Sequence, residues 1–237
     1  MPTRTALPTE RIGAILEVII CSGFPTQLLL IAVLRGFGMP LQADDGALNP
    51  KFVFTVSLLD AALVIGLVLL FLRAHHESAR DVLIGRVRVL REVFVGIALI
   101  PLAFFVVVFI MALVLTYLPQ LHNVLNNPLE NMLRTRSDAM IFAVVVMISG
   151  GVREEVQRGF IVHRFGQYLG GGVFGVLVYS ALFGLGHFEQ GYDAMIATGA
   201  LGAFWGFVYL RRGSIIAPVV SHAGFNLAQV LKHVALR

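Results

Sequence analysis

Charge is the scarce component of this chain: 14% of its 237 residues are Asp, Glu, Lys or Arg, against 57% apolar ones. A water-facing domain usually carries about 25% charged and 45–50% apolar residues. A soluble globule is therefore excluded, and so is disorder, which needs the opposite balance. Cysteine is nearly absent. The lone Cys21 forbids an internal disulfide and a thiolate zinc site, and its apolar surroundings mark it as a small buried hydrophobe. Lysine is scarce too: of the 18 basic residues only Lys51 and Lys232 are not arginine. In a soluble protein a net charge of +4 would hint at nucleic acid. In a membrane protein it marks cytoplasmic loops, and no nucleic-acid partner is expected. No internal repeat, low-complexity tract or cleavable signal peptide is evident. Residues 1–11 are polar, and the apolar run behind them has the length of a retained span.

What the chain has is hydrophobic length. Seven stretches approach the ~20 apolar residues that a span needs: 12–34, 52–72, 93–118, 139–165, 170–187, 194–210 and 214–234. The expected fold is an all-α polytopic transmembrane helix bundle of about seven (six to eight) spans. Residues 1–138 would form a three-span N-terminal region and 139–237 a core of about four spans. The first stretch holds Glu17 and a break at Pro25-Thr26-Gln27, the second holds Asp60, and the fourth turns abruptly charged after Val152. Gly170, Gly171, Gly172, Gly175, Gly184 and Gly186 are expected to let helices approach closely in lipid.

Arginine sets the expected orientation. Arg73, Arg80, Arg86, Arg88 and Arg91 place the 73–92 loop in the cytoplasm, where it would also meet anionic lipid heads. The N-terminus, with Arg4 and Arg11, is then inside, as are Arg164 and Arg211-Arg212. Loop 35–51 and loop 119–138 fall outside, the latter against the grain of Arg134 and Arg136, and the C-terminus with Lys232 and Arg237 is also outside. A bacterial inner membrane is the expected location.

Ionisable side chains inside a bilayer are costly, so each is a functional candidate. They are Glu17, Asp60, Arg153, Glu154, Glu155, Arg158, His187 and His222, with Asn226 as a neutral companion. At about 1.5 Å per residue, Glu154 and His187 fall roughly 18 and 25 Å from the turn near 166–170, and His222 and Asn226 roughly 12 and 18 Å into the last span. Groups far apart in sequence thus share one layer. Glu154 and Arg158 stand four apart, as do Phe183 and His187, and His222 and Asn226; each pair shares a helix face. Pairing with Arg158 would lower the cost of holding Glu154 in lipid. A carboxylate and an imidazole can take a proton from water and return it to a leaving amine, while a second imidazole and an amide can steady an oxyanion. Glu154, His187 and His222 are also a possible zinc set with water as fourth ligand, although no HExxH helix is present. Both chemistries use the same residues.

Glu154-Glu155-Val156-Gln157-Arg158, Phe183-Gly184-Leu185-Gly186-His187 and His222-Ala223-Gly224-Phe225-Asn226 follow one another on apolar helices. In this order they resemble the EExxxR, FxxxH and HxxxN motifs of the CPBP group of intramembrane proteases, also called Abi or type II CAAX prenyl endopeptidase-like. The resemblance covers about residues 139–231. It implies that Glu154 with His187 activates water, that His222 and Asn226 stabilise the oxyanion, and that Arg158 orients the glutamate. No cofactor is required in the preferred reading, with Zn2+ as the alternative. The implied substrates are membrane-anchored proteins or peptides, including prenylated tails, signalling peptides and sorting tails. One departure stands out: the first motif is EExxR, one residue short. Anchored on Arg158, the family's first glutamate falls on Arg153 and its second on Glu154; anchored on the acidic pair, Glu154 is the first. Glu155 is therefore the alternative base. Competing readings are a b-type haem protein with His187 and His222 as axial ligands, a non-catalytic scaffold or immunity protein of the same fold, and a transporter using Glu154 in a proton relay.

Overall fold

The computed structural model describes residues 7–125 and 127–235; Arg4 and Arg237 lie outside them. Among the described residues the regular structure is helical, apart from a single bridge between Gln42 and Leu48. The helices are α1 (Pro8–Ile20), α2 (Phe24–Gly36), α3 (Pro50–Ala74), α4 (Val89–Tyr117), the single turn α5 (Pro128–Asn131), α6 (Arg136–Val146), α7 (Glu154–Tyr168), α8 (Gly172–Leu185), α9 (Tyr192–Arg212) and α10 (Ile216–Ala235). Each expected apolar stretch is largely helical, the first in two pieces. By length and apolarity α3, α4 and α9 each qualify as a span, and α1 with α2 makes a fourth, bent by 44°. The remaining helices fall short for visible reasons: α7 opens on Glu154, Glu155 and Arg158, and α8 has 14 residues. The protein is a polytopic helical membrane protein.

The bend in the first apolar stretch falls at Cys21–Gly23, just before the expected Pro25-Thr26-Gln27 site. Pro25 lies in the first turn of α2, where its missing N–H costs nothing. Gly23, with φ of +86°, makes the turn that an L side chain resists. The Cys21 carbonyl left free at the break accepts from Gln157 Nε2 at 2.6 Å. A broken helix is tolerated in lipid where neighbours re-satisfy its backbone in this way.

α6 runs into α7 through seven residues of wide π turns, Met147–Arg153. Such turns are rare and cluster at functional sites. This segment carries Gly150 and Gly151, and α10 packs directly on it. A Cβ on Gly151 would lie 2.6 Å from Ala223 Cβ, and one on Gly150 would run into the Asn226 amide. Of the glycines expected to mediate close approach, Gly172, Gly175 and Gly184 do so, against Leu210, Phe165 and Met195. Gly170 and Gly171 instead adopt φ of +100° and +103° and form the α7–α8 turn.

At one end of the bundle the chain folds back on itself. The arginine-rich loop folds back beneath α7 through a π turn at Arg80–Ile84 that buries Leu83 with Phe160, Ile161 and Tyr209. Leu83 carbonyl accepts from Ile215 N at 2.8 Å, and Tyr209 Oη donates to Val82 carbonyl at 2.9 Å. Beside it the fully buried Arg164 donates to Glu17 at 2.6 Å and to Glu77 at 2.5 Å. His163 pairs with Glu77 at 2.7 Å. His75, just after α3, pairs with Glu17 at 2.6 Å while remaining exposed.

Gly151→Ala is expected to destabilise the protein by about 1–3 kcal/mol, the usual cost of overpacking, read as a lower midpoint of thermal unfolding in detergent micelles. A second expectation concerns acid. Burial pulls the Glu77 carboxyl upward, but hydrogen bonds from His163, Arg164 and Gln167 outweigh it and hold the group below the usual carboxylate range. A group lowered in the folded state stabilises it fully above its unfolded value, about pH 4.3 for Glu. That contribution is lost as pH falls through the lowered folded value. Acidification should therefore depress the melting midpoint, and Glu77→Gln should flatten this dependence.

Candidate active site

The site is assembled on α7, on the turn after α8, and on α10. The π segment resets the phase of the helix just before Glu154, so the apolar periodicity of α6 does not set where the acidic pair points. Its two glutamates take opposite environments. Glu155 is fully buried, 1% exposed. One of its oxygens, Oε1, accepts from Arg158 and pairs with His222 Nδ1 at 2.8 Å. Glu154 instead lines a cavity of about 450 Å³ together with His187, His222, Asn226, Phe183 and Trp205.

Arg158 therefore pairs with Glu155, three residues before it, rather than with Glu154 as its i, i+4 spacing suggested. Its guanidinium lies 5.0 Å from the Phe183 ring centroid, 5.7 Å from Tyr179 and 5.8 Å from Trp205. Aromatic faces attract a cation electrostatically, most strongly where water is excluded, so three rings supplement the single carboxylate. Arg153, one candidate for the family's first glutamate, serves a different purpose. It reaches Asp60 at 3.3 Å and Gln157 at 2.9 Å. Asp60 also accepts from Thr26 at 2.5 Å. With Arg153 bound this way and Glu155 bonded to Arg158, the geometry fits the register anchored on the acidic pair.

Both histidines are oriented through Nδ1. That of His187 lies 2.9 Å from the Phe183 carbonyl. A carbonyl only accepts, so Nδ1 carries the hydrogen and neutral His187 has its lone pair on Nε2. For His222 the acceptor is Glu155, and Nε2 stands 3.8 Å from Glu154 Oε2, a separation suited to a bridging water. Trp205 stacks on the His222 ring at 3.8 Å and 16° and donates to Ser221 Oγ at 3.2 Å. It is a site residue that sequence reasoning missed. A tryptophan in an apolar helix carries no local sign of what it will face, and α10 supplies that partner. Asn226 lines the cavity beside Gly150, its Nδ2 3.5 Å from the Val146 carbonyl.

The zinc alternative requires Glu154, His187 and His222 to surround one point. Among the described residues, no group of three His, Cys, Asp or Glu side chains is placed to hold a metal ion, so the residues as arranged do not fit that group.

Residues 136–228 match the family described as Type II CAAX prenyl endopeptidase Rce1-like. No curated protein and no solved structure matches the chain. The matched segment runs from α6 into α10 and holds Glu154, Glu155, Arg158, Phe183, His187, His222 and Asn226. Over residues 136–228, under half of its length, this membrane protein is similar to the type II CAAX prenyl endopeptidase-like family.

Proposed function

We propose that the protein is an intramembrane endopeptidase that hydrolyses a peptide bond of a membrane-associated or lipidated protein or peptide, using water activated by Glu154 and His187. The observation that carries this reading is the division of the acidic pair: Glu154 shares a cavity with His187, His222 and Asn226, while Glu155 is buried behind His222. Glu154 takes a proton from a cavity water as its oxygen attacks the scissile carbonyl carbon, with the His187 Nε2 lone pair helping to hold that water. The carbonyl oxygen becomes an oxyanion, which accepts from Asn226 Nδ2 and from protonated His222 Nε2. The C–N bond then breaks, and the proton held by Glu154 passes to the leaving amine. Glu155 and Arg158 touch no reacting atom. They are positioning residues that fix the His222 ring, and Phe183 anchors His187 through its carbonyl. No step needs a metal. The haem alternative accounts for His187 and His222 but leaves Glu154 and the Glu155–Arg158 pair without a purpose. We also propose that the exposed arginines of the 73–91 segment contact anionic lipid heads.

The test is cleavage of a membrane-anchored peptide library by purified protein in nanodiscs, with thermal unfolding measured in parallel. Glu154→Gln should lose roughly 10²–10⁴-fold in turnover, the range for a general base, with its melting midpoint near wild type. Glu155→Gln should lose both, because leaving a buried charge unpaired costs about 3–5 kcal/mol. Turnover should survive a zinc chelator. Wild-type turnover in Glu154→Gln would show that the base is another residue.

A further inference from the structure

The two ends of the bundle differ in a way that bears on the substrate. We infer that the catalytic cavity opens to the extracytoplasmic face, and that the substrate is a membrane-anchored polypeptide presenting its scissile segment from that side. The inference rests on the peptidase reading for its chemistry, but its direction is independent of catalysis.

The polar part of the cavity lining lies towards one end, while a smaller hollow beside Gly23 and Gln27 adjoins Glu154 and His187 from the side. The cavity's outer lining comes from the end of α4 (Met111), from α5 (Glu130), from the turn before α9 (Gln190) and from the last turns of α10 (Gln229 and His233). All of these adjoin the connection from α4 to α6. Towards the other end, the space beneath α7 is filled by Leu83, Phe160 and Ile161, and the folded-back loop is hydrogen-bonded to α9 and to the start of α10.

Charge then assigns the ends. The folded-back end carries the exposed Arg73, Arg80, Arg86, Arg88, Arg91 and Arg211. At the other end, Arg134 is neutralised by Asp45, and Arg35, Lys51 and Arg136 are spread over separate loops. An arginine excess in short loops stays in the cytoplasm, which turns the mouth outward. The mouth is polar, with Glu130 and His233 3.3 Å apart, whereas the interior walls are apolar, among them Val107, Phe142 and Leu201. About 450 Å³ is within the range of pockets that enclose a small ligand, roughly 300–1,000 Å³. It suits a short extended stretch that passes from an apolar membrane segment to a polar end, and excludes a folded domain. A prenylated tail offered from the cytoplasmic leaflet would meet the folded-back end.

Cysteine labelling in intact bacterial cells tests this without requiring activity. The native Cys21 is buried and gives a silent background. Leu125→Cys lies on the α4–α6 connection, where Leu125 is 82% exposed. Ser57→Cys lies in the cavity wall, and Ser78→Cys in the folded-back loop. A membrane-impermeant maleimide should label the first two in intact cells and Ser78→Cys only after lysis. Labelling of Ser78→Cys with protection of Leu125→Cys would reverse the orientation and overturn the inference. Labelling of Leu125→Cys with protection of Ser57→Cys until lysis would overturn the outward opening. Failure of the cleavage assay alongside the expected labelling would count against the peptidase reading and leave the direction standing.

Discussion

A guanidinium within a bilayer has to be neutralised where it stands. Even insertion scales, the mildest measure, put the cost of a central arginine at about 2.5–3.5 kcal/mol. Arg158 meets this demand with Glu155 and with the faces of Phe183, Tyr179 and Trp205. The arrangement draws α8 and α9 around α7. Because the same carboxylate oxygen that receives Arg158 also holds His222 Nδ1, it draws in α10 as well. The position of the imidazole, its stacking on Trp205 and the direction of its second nitrogen all follow from that pairing. The chemistry proposed for the cavity therefore depends on a buried charge pair that does not line it.

The other charges of α7 follow the same rule with partners from earlier in the chain. Arg153 is bound by Asp60 of α3, and Arg164 by Glu17 of α1 and Glu77 of the folded-back loop. Gln157 occupies the carbonyl freed where α1 and α2 part. The N-terminal helices, whose sequences look like generic spans, thus provide counter-charges for the helix that bears the acidic pair. Close contact is possible because the π segment offers α10 two glycines where side chains would collide. In lipid, helices associate through such packing and through polar contacts, because burial of apolar surface gives little drive there.

Much of this was legible in sequence because it is local. Hydrophobic length announced the helices, and four-residue spacing announced that Phe183 stands with His187 and His222 with Asn226. Intramembrane Glu17 and Asp60 announced that polar partners had to exist, without naming them. The acidic pair was less legible: neighbours on a helix differ by about 100° in direction, and one missing residue in the motif left the register open. Spacing favoured Glu154 for Arg158, whereas the structure gives Arg158 to Glu155, whose carboxylate is buried where it also meets His222 of α10.

By itself the sequence determined a membrane-embedded helical protein, a short set of charges that lipid would not tolerate unpaired, and the order of three motifs that resemble a protease family. Only the tertiary structure decided which glutamate lines the cavity, that Trp205 stacks on His222, and that the 73–92 loop folds back onto α9 and the start of α10. The reason is distance along the chain. Periodicity and spacing report contacts within one helix turn, while Glu155 meets a histidine 67 residues away. Pairings of that kind are selected by which helices can approach closely and which charges then need partners, and neither is written in any local stretch.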